Sequence, residues 1–179
     1  RGTSDAAVRF YYQNTRLRAK AKNFDTLLRT GTGEAQILKV RIENSEGRPQ
    51  VQYQMGEPLV VVVQVHFKKE VQNPIFGVNI LTDSGIMVCD CRSAHYDMKV
   101  GKVNGTIEYR ARIESLPLYP RSYTIEPWVT DAACMSEYDW VRNAAEFLIT
   151  SGPHFLSGAN VNGNHGISFV PTTWDFRSL

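Results

Sequence analysis

The sequence predicts an all-β protein, an antiparallel β-sandwich that follows a short helical segment. Three observations predict this fold class. From residue 34 onward the apolar side chains recur with a period of two. Turn residues interrupt that pattern roughly every ten residues, as in sandwiches and barrels of short strands. At 179 residues, the chain is long enough to bury a hydrophobic core without disulfide bonds.

Composition narrows the class of protein further. The formal net charge is +2, so the sequence indicates no nucleic-acid partner. The longest apolar run, 59–63, is far shorter than the ~20 residues of a membrane-spanning helix. The odd cysteine count favours reduced thiols in a cytosolic protein over a disulfide framework. The three cysteines are Cys89, Cys91 and Cys134.

Residues 1–30 differ from the rest of the chain. Arg and Lys recur there, Gly and Pro are nearly absent, and the apolar residues have a loose helical spacing. The pattern ends at Thr30-Gly31-Thr32-Gly33. We therefore expect one or two helices that connect or dock the sandwich to something else.

The rest of the chain contains the predicted strands, which are separated by turn signals. They cover residues 35–43, 50–55, 59–69, 75–82, 86–92, 106–114, 122–130, 145–150 and 167–174. Asn104-Gly105 is typical of a type I′ hairpin turn, and it predicts a turn before the strand at 106–114.

Alternation assigns one face of each strand to the core and the other to solvent. Strands 59–69, 75–82, 106–114 and 122–130 would together present one polar outer face if they shared a sheet. That face would carry Gln64, His66, Asn79, Glu108, Arg110, Arg112, Glu126 and Trp128. Periodicity alone favours a solvated face with cross-strand Arg–Glu pairs.

The same residue types also suit a sugar-binding surface. An indole such as Trp128 can cover the apolar C–H patch of a pyranose. Arg110 and Arg112 could hold hydroxyls or an anionic group. The predicted ligand-binding residues are Gln64, His66, Asn79, Arg110, Arg112, Glu126 and Trp128.

Catalytic, cofactor and metal signals are weak. The sequence has no Gly-rich phosphate loop and no nucleophile elbow, and its four histidines are scattered. His95-Tyr96-Asp97 is more typical of a polar loop than of a metal site. Glu108 and Glu126 could serve glycoside hydrolysis, but neighbouring arginines would keep both ionised. We therefore expect no enzyme, no cofactor and no metal.

Several short motifs occur in an order typical of one known family. They are Glu43-Asn44-Ser45-Glu46-Gly47, Met55-Gly56-Glu57-Pro58-Leu59, Pro74-Ile75-Phe76-Gly77, Asp83-Ser84-Gly85, Leu116-Pro117-Leu118-Tyr119-Pro120, and Asp139-Trp140 before Ala144-Ala145-Glu146-Phe147. Over about residues 31–174 the chain resembles the C-terminal domain of Wzt, the nucleotide-binding subunit of ABC transporters that export O-antigen polysaccharide. Arg121 stands where that family commonly has Gly.

The resemblance implies an immunoglobulin-like β-sandwich over 31–179 that binds carbohydrate without catalysis. Residues 1–30 would link it to an ATPase domain absent from this chain. The domain would recognise the O-polysaccharide, often through a modified end, in the cytoplasm at the inner face of the inner membrane. Its other partners would be the transporter's membrane subunit and a second copy that exchanges the C-terminal strand from Gly166 to Trp174. The alternatives are a dimerisation or docking domain without glycan contact, and a glycosidase-type enzyme domain.

Overall fold

The computed structural model describes residues 24–96, 98–151, 166–170 and 172–177. Within these ranges the chain forms two 3-10 turns, Phe24–Thr26 and Ser93–Tyr96, and ten strands. The strands are β1 (Arg29–Thr30), β2 (Ala35–Glu43), β3 (Gln52–Gln54), β4 (Leu59–Gln72), β5 (Ile75–Thr82), β6 (Met87–Arg92), β7 (Lys102–Ile113), β8 (Arg121–Thr130), β9 (Glu137–Val141) and β10 (Ala145–Thr150). No helix in these ranges is long and apolar enough to cross a membrane.

The described strands form two sheets. The small sheet has the order β2-β4-β7 and is antiparallel throughout. In the large sheet, β8 pairs with β5 along one edge and with β10 and β9 along the other. β6 extends the sheet beyond β5, β1 pairs with β9, and β3 pairs with β10 in parallel. The predicted all-β sandwich is confirmed, with this one parallel pair among the described strands.

The core lies between the sheets and follows the predicted alternation. The inward row of β4, including Val61 and Val63, is fully buried. It faces inward residues of the large sheet such as Ile80 and Ile125, which are also fully buried. Complete burial of an aliphatic side chain contributes ~1.5–3 kcal/mol. This layer is therefore the main source of the sandwich's stability.

The hairpin turn predicted at Asn104-Gly105 is wrong. β7 runs through both residues and pairs with β4 on either side of them. The register shifts between Phe67 and Val71, opposite this point, and Gly105 has φ 69°. Asn-Gly suits a left-handed backbone, which a β-bulge needs as much as a hairpin turn does. Here the Asn-Gly motif lies at a β-bulge, and the motif alone does not distinguish a bulge from a hairpin turn because both need the same backbone conformation.

The strand predicted at 167–174 is not a strand in the described residues. Ser168 forms a single antiparallel bridge with Leu118, and residues 172–177 are exposed. The predicted helical segment falls mostly on residues 1–23, which lie outside the described residues. Its last part is the turn Phe24–Thr26 followed by β1. Periodicity also missed β9, whose side chains are mostly buried on both faces.

The two long sides of the sandwich are built differently. On the closed side, β2 of the small sheet is bonded to β9 of the large sheet. The backbone N–H of Ile37 donates to Asp139 Oδ2 over 2.6 Å, and Arg29 Nη2 lies 3.3 Å from the same oxygen. On the open side, β6 and β7 are edge strands. Among the described strands, β6 pairs only with β5, and β7 pairs only with β4. None of the described strands joins the two sheets on this side.

Candidate functional site

The four strands expected to share one polar face belong to different sheets. β4 and β7 lie in the small sheet, whereas β5 and β8 lie in the large sheet. The predicted binding residues therefore divide into two groups on opposite outer faces of the sandwich. The small sheet carries Gln64, His66, Arg110 and Arg112, and the large sheet carries Asn79, Glu126 and Trp128.

The outer face of the small sheet holds a closed ring of ion pairs. Arg41 binds Glu43 over 2.5 Å and Glu108 over 2.9 Å. Arg110 binds the same two carboxylates over 3.0 and 3.1 Å. Val62 lies between Arg41 and Arg110 in register and is fully buried although it faces outward. Because the arginine stems cover this apolar side chain, the ring contributes packing as well as charge pairing.

Hydrogen bonds from Arg41, the largest cause, lower the pKa of Glu108, and those from Arg110 add to the effect. Glu108 is therefore ionised at neutral pH and bound to both arginines. Beside the ring, His66 Nδ1 lies 2.9 Å from Thr106 Oγ1. Gln64 lies opposite Glu108 in register. The face resembles the self-paired solvated surface that periodicity favoured.

The outer face of the large sheet buries its predicted residues. Asn79, Glu126 and Trp128 are 1%, 4% and 5% exposed. Trp128 Nε1 donates to Asn79 Oδ1 over 3.0 Å. Glu126 accepts from Trp140 Nε1 over 3.2 Å and from Arg142 Nη1 over 2.8 Å. These polar atoms therefore satisfy one another inside the protein.

The Trp128 indole is held from two directions. The guanidinium of Arg92 lies 5.2 Å from its ring centre, within the range of a cation–π contact. On the strand beside it, a Cβ at Gly77 would overlap the indole. Glycine at position 77 therefore makes room for the ring. Stacking of a sugar on Trp128 would require Arg92 to move away.

The two carboxylates considered for glycoside hydrolysis are far from forming a pair. Glu108 lies on the outer face of the small sheet and Glu126 on that of the large sheet. A catalytic pair needs both carboxyl groups on either side of one scissile bond. Glu108 and Glu126 cannot meet that requirement across the thickness of the sandwich.

A cleft of about 650 Å³ opens on the open side, between the edges of β6 and β7. Its volume lies within the usual range of ligand sites, ~300–1,000 Å³. Phe76 and Val78 line it from the large sheet, and Ala111 and Ile113 line it from the small sheet. Tyr109 stacks on Phe76 with ring centres 4.5 Å apart. Burial raises the pKa of the Tyr109 hydroxyl. The interior is therefore largely apolar and fixed by aromatic packing.

Two large apolar side chains stand exposed beside this cleft. Tyr96 is 83% exposed and Met98 is 55% exposed, and both line the cleft. They belong to the connection from β6 to β7, which begins with the 3-10 turn Ser93–Tyr96. Periodicity missed them because this connection has no strand pattern. An aromatic residue and a methionine in a short break between two predicted strands were the signal available.

The rim of the cleft carries three arginines, each with a carboxylate partner. Arg92 is paired with Asp90, and Arg112 Nε lies 2.7 Å from Glu114. Arg110 belongs to the ion-pair ring of the small sheet. Two of the predicted binding residues, Arg110 and Arg112, thus border the cleft. The cleft combines an apolar interior, an exposed aromatic ring and paired hydrogen-bonding groups.

Comparisons with known proteins agree with this architecture. The Wzt C-terminal domain family matches residues 27–167. The crystal structure of the C-terminal domain of Wzt superposes with a TM-score of 0.72 at 12% identity, covering 91% of this chain and 95% of that one. Curated protein sequences give no match.

Two further structures are similar over smaller parts. A Niemann-Pick type C2 protein from Japanese carpenter ant has a TM-score of 0.46 at 11% identity, over 69% of this chain and 97% of that one. A β-glucosidase from Listeria innocua in complex with glucose has a TM-score of 0.32 at 9% identity, over 64% of this chain and 16% of that one. The fold match thus rests on the first structure.

Proposed function

The chain belongs to the Wzt C-terminal domain family, and we propose that it is a non-catalytic carbohydrate-binding module that recognises O-antigen polysaccharide for export. Family membership assigns the chain a role in the O-antigen ABC transporter. The recognised ligand would be the glycan itself, in the cytoplasm at the inner face of the membrane. Residues 1–30 would connect this module to the ATPase domain, and through it to the membrane subunit.

The cleft on the open side is the observation that carries this proposal. The exposed ring of Tyr96 can cover the C–H face of a pyranose, as aromatic side chains commonly do. The Arg112–Glu114 pair offers donors and an acceptor to hydroxyl groups. Specific sugar binding needs both kinds of contact, and within the described residues they meet beside this cleft.

The predicted binding residues enter this proposal in two ways. Arg110 and Arg112 border the cleft and are proposed as direct contacts. Gln64 and His66 lie on the outer face of the small sheet, where a longer glycan could continue. On the large sheet, Trp128 would contact ligand only if Arg92 moved off the indole. Asn79 and Glu126 are buried and hydrogen-bonded inside the protein, so they are not proposed as direct contacts.

A calorimetric titration of the 179-residue chain with O-polysaccharide from the source strain tests the function. We expect saturable binding that Arg112→Gln weakens about tenfold, because hydrogen bonds from a charged donor contribute ~1.5–3 kcal/mol. Arg48→Gln is the matched control, since Arg48 is 78% exposed and also paired with a carboxylate two residues away. Absence of heat with intact polysaccharide at two different temperatures would remove the proposed function, because the binding enthalpy can be close to zero at one temperature but not at both.

The C-terminal segment supports a second proposal, that two copies assemble by exchanging residues from Gly166 to Trp174. Tyr119 N donates to Ile167 O over 3.0 Å, and Phe169 N donates to Pro117 O over 2.7 Å. A second copy could supply the same pairing, which is how strand exchange forms dimers. Trp174, at the end of this segment, and Phe176, just after it, are each 91% exposed, which leaves apolar area for a partner.

Light scattering of the intact chain and of a chain ending at residue 165 tests the exchange. We expect a dimer and a monomer, respectively. A monomeric intact chain, or a truncated chain that remains dimeric, would contradict this assembly. Since the titration above measures glycan binding separately, a purely dimerising domain would bind no polysaccharide in it.

A further inference from the structure

The cleft on the open side is electrically balanced at its rim. Arg92 pairs with Asp90, Arg110 with Glu43 and Glu108, and Arg112 with Glu114. Every arginine that lines the cleft therefore already has a carboxylate partner. An acidic ligand would either have to separate one of these pairs or bind an arginine whose carboxylate partner stays close to the ligand's own charge. The rim consequently disfavours anions although it is rich in arginine.

The interior of the cleft is largely apolar. Phe76, Val78, Ala111 and Ile113 supply no side-chain hydrogen-bonding group. The hydroxyls of Tyr109 and Ser93 also line the cleft, but they already bond the Gly77 carbonyl and the Phe76 N–H. A hydroxyl placed against them would lose its bonds to water without replacement. A methyl group in the same position would lose nothing and would bury apolar surface. The interior therefore favours a ligand with an apolar projection.

The mouth of the cleft has the opposite character. Tyr96 and Met98 are exposed apolar surfaces at its edge, and the Arg112–Glu114 pair lies on the rim. A ring with one C–H face and several hydroxyls satisfies both features at once. A wholly apolar ligand, such as an acyl chain, would leave the rim pairs without a role.

Given the proposed glycan-binding function, we infer that the cleft selects a neutral sugar residue with an apolar substituent over an acidic or fully hydroxylated one. A deoxy methyl, O-methyl or O-acetyl group belongs to this class. The substituent enters between the sheets, the ring lies against Tyr96, and the ring hydroxyls meet the Arg112–Glu114 pair. A second copy of the chain laid along the free edges of β6 and β7 is the competing occupant.

Three methyl glycosides that differ only at C6 test this inference. Methyl β-D-fucoside has a methyl group there, methyl β-D-galactoside a hydroxymethyl group, and methyl β-D-galacturonide a carboxylate. Each is titrated into the ¹⁵N-labelled 179-residue chain and followed by amide chemical shifts. We expect shifts at Ala111 and Ile113, with the fucoside binding about fourfold more tightly than the galactoside, the effect of one buried methyl group.

The galacturonide should bind at least tenfold more weakly than the fucoside. Equal affinities, a reversed order, or unmoved cleft amides with all three glycosides would overturn the inference. Glu114→Gln leaves Arg112 without its carboxylate partner and should reduce the preference for the fucoside over the galacturonide severalfold. Glu46→Gln is the matched control, because Glu46 is paired with an arginine two residues away in an exposed turn.

A parallel titration with the strain's O-polysaccharide separates the two failures. If the polysaccharide shifts amide resonances only on the outer face of the small sheet, the inference is overturned and the proposed function remains intact. Polysaccharide that shifts nothing would remove the function as well. If the amide resonances of the cleft shift when the protein is diluted, and with none of the glycosides, the cleft binds a second copy of the chain. That result would likewise overturn the inference.

Discussion

The two sheets meet differently on the closed and open sides of the sandwich. On the closed side, the buried carboxylate of Asp139 binds the backbone of β2 and the guanidinium of Arg29. On the open side, the edges of β6 and β7 leave a cleft between the sheets, bordered by the exposed Tyr96. On the closed side the polar groups bind the two sheets together, whereas on the open side they surround the cleft.

This difference separates stability from recognition within one fold. Substitutions on the closed side and on the large sheet's outer face should reduce the free energy of unfolding, because their polar groups are buried and mutually bonded. Substitutions of the exposed residues around the cleft should leave folding intact and change ligand affinity.

The largest effect is expected at Trp128, which lies opposite Trp140 of β9 and is 5% exposed. Trp128→Ala should lower the free energy of unfolding by ~3–5 kcal/mol, the usual cost of deleting a buried aromatic side chain. Urea denaturation measures it, with Trp174→Ala in the exposed tail as the control. A stability equal to that of the wild type would mean that the outer face of the large sheet is not structural.

Asp139 should show the next largest effect. Asp139→Ala leaves the Ile37 N–H and the Arg29 guanidinium without this acceptor, at a cost of about 2 kcal/mol. Asp139→Asn retains an acceptor oxygen and should lose less. Equal losses in the two variants, compared by urea denaturation, would show that the hydrogen bond to β2 does not hold the closed side together.

Tyr96 should affect binding and not folding. Tyr96→Ala is expected to leave the unfolding midpoint unchanged, because the side chain is 83% exposed. O-polysaccharide affinity should fall about tenfold, the scale of an aromatic contact that loses ~1.4 kcal/mol. Tyr96→Phe keeps the ring and should bind within about twofold of the wild type. Unchanged affinity in the alanine variant would move the ligand away from the cleft.

The smallest expected effect is a pH dependence on the closed side. Burial raises the pKa of Asp139 above its ordinary value of 3.8, so the folded state retains a proton that the unfolded state has lost. The contribution of Asp139 to stability should therefore fall as pH rises from below 3.8 through the raised pKa. Urea denaturation of wild type and Asp139→Asn from pH 3 to 7 measures this, and a difference that grows with pH would contradict it.

The predicted core was correct because its signal is local. A row such as Val61, Val63 and Val65 alternates within one strand, and alternation alone fixes which side chains face inward. Membership of a sheet is not local. β7 pairs with β4 and β8 pairs with β5 across long stretches of chain, so the single polar face assembled from all four strands divided in two.

The environments of the site residues depend on contacts between different strands, which the alternation within a single strand cannot predict. The burial of Trp128 requires Gly77 on the neighbouring strand and Arg92 on the strand beyond it. Arg110 was correctly placed on an outer face, but its partner Glu43 is 67 residues away in sequence. Tyr96 lies in a connection without any strand pattern, and its position beside the cleft follows from how the two sheets pack.

Hydrogen–deuterium exchange of the 179-residue chain, with and without O-polysaccharide, tests most directly whether the open side binds the ligand. The prediction is slower exchange in peptides covering residues 89–96 and 107–115, which border the cleft, with unchanged exchange in 35–43 and 137–141 on the closed side. Protection confined to the closed-side peptides, or to 59–66 beneath the small sheet's outer face, would contradict it.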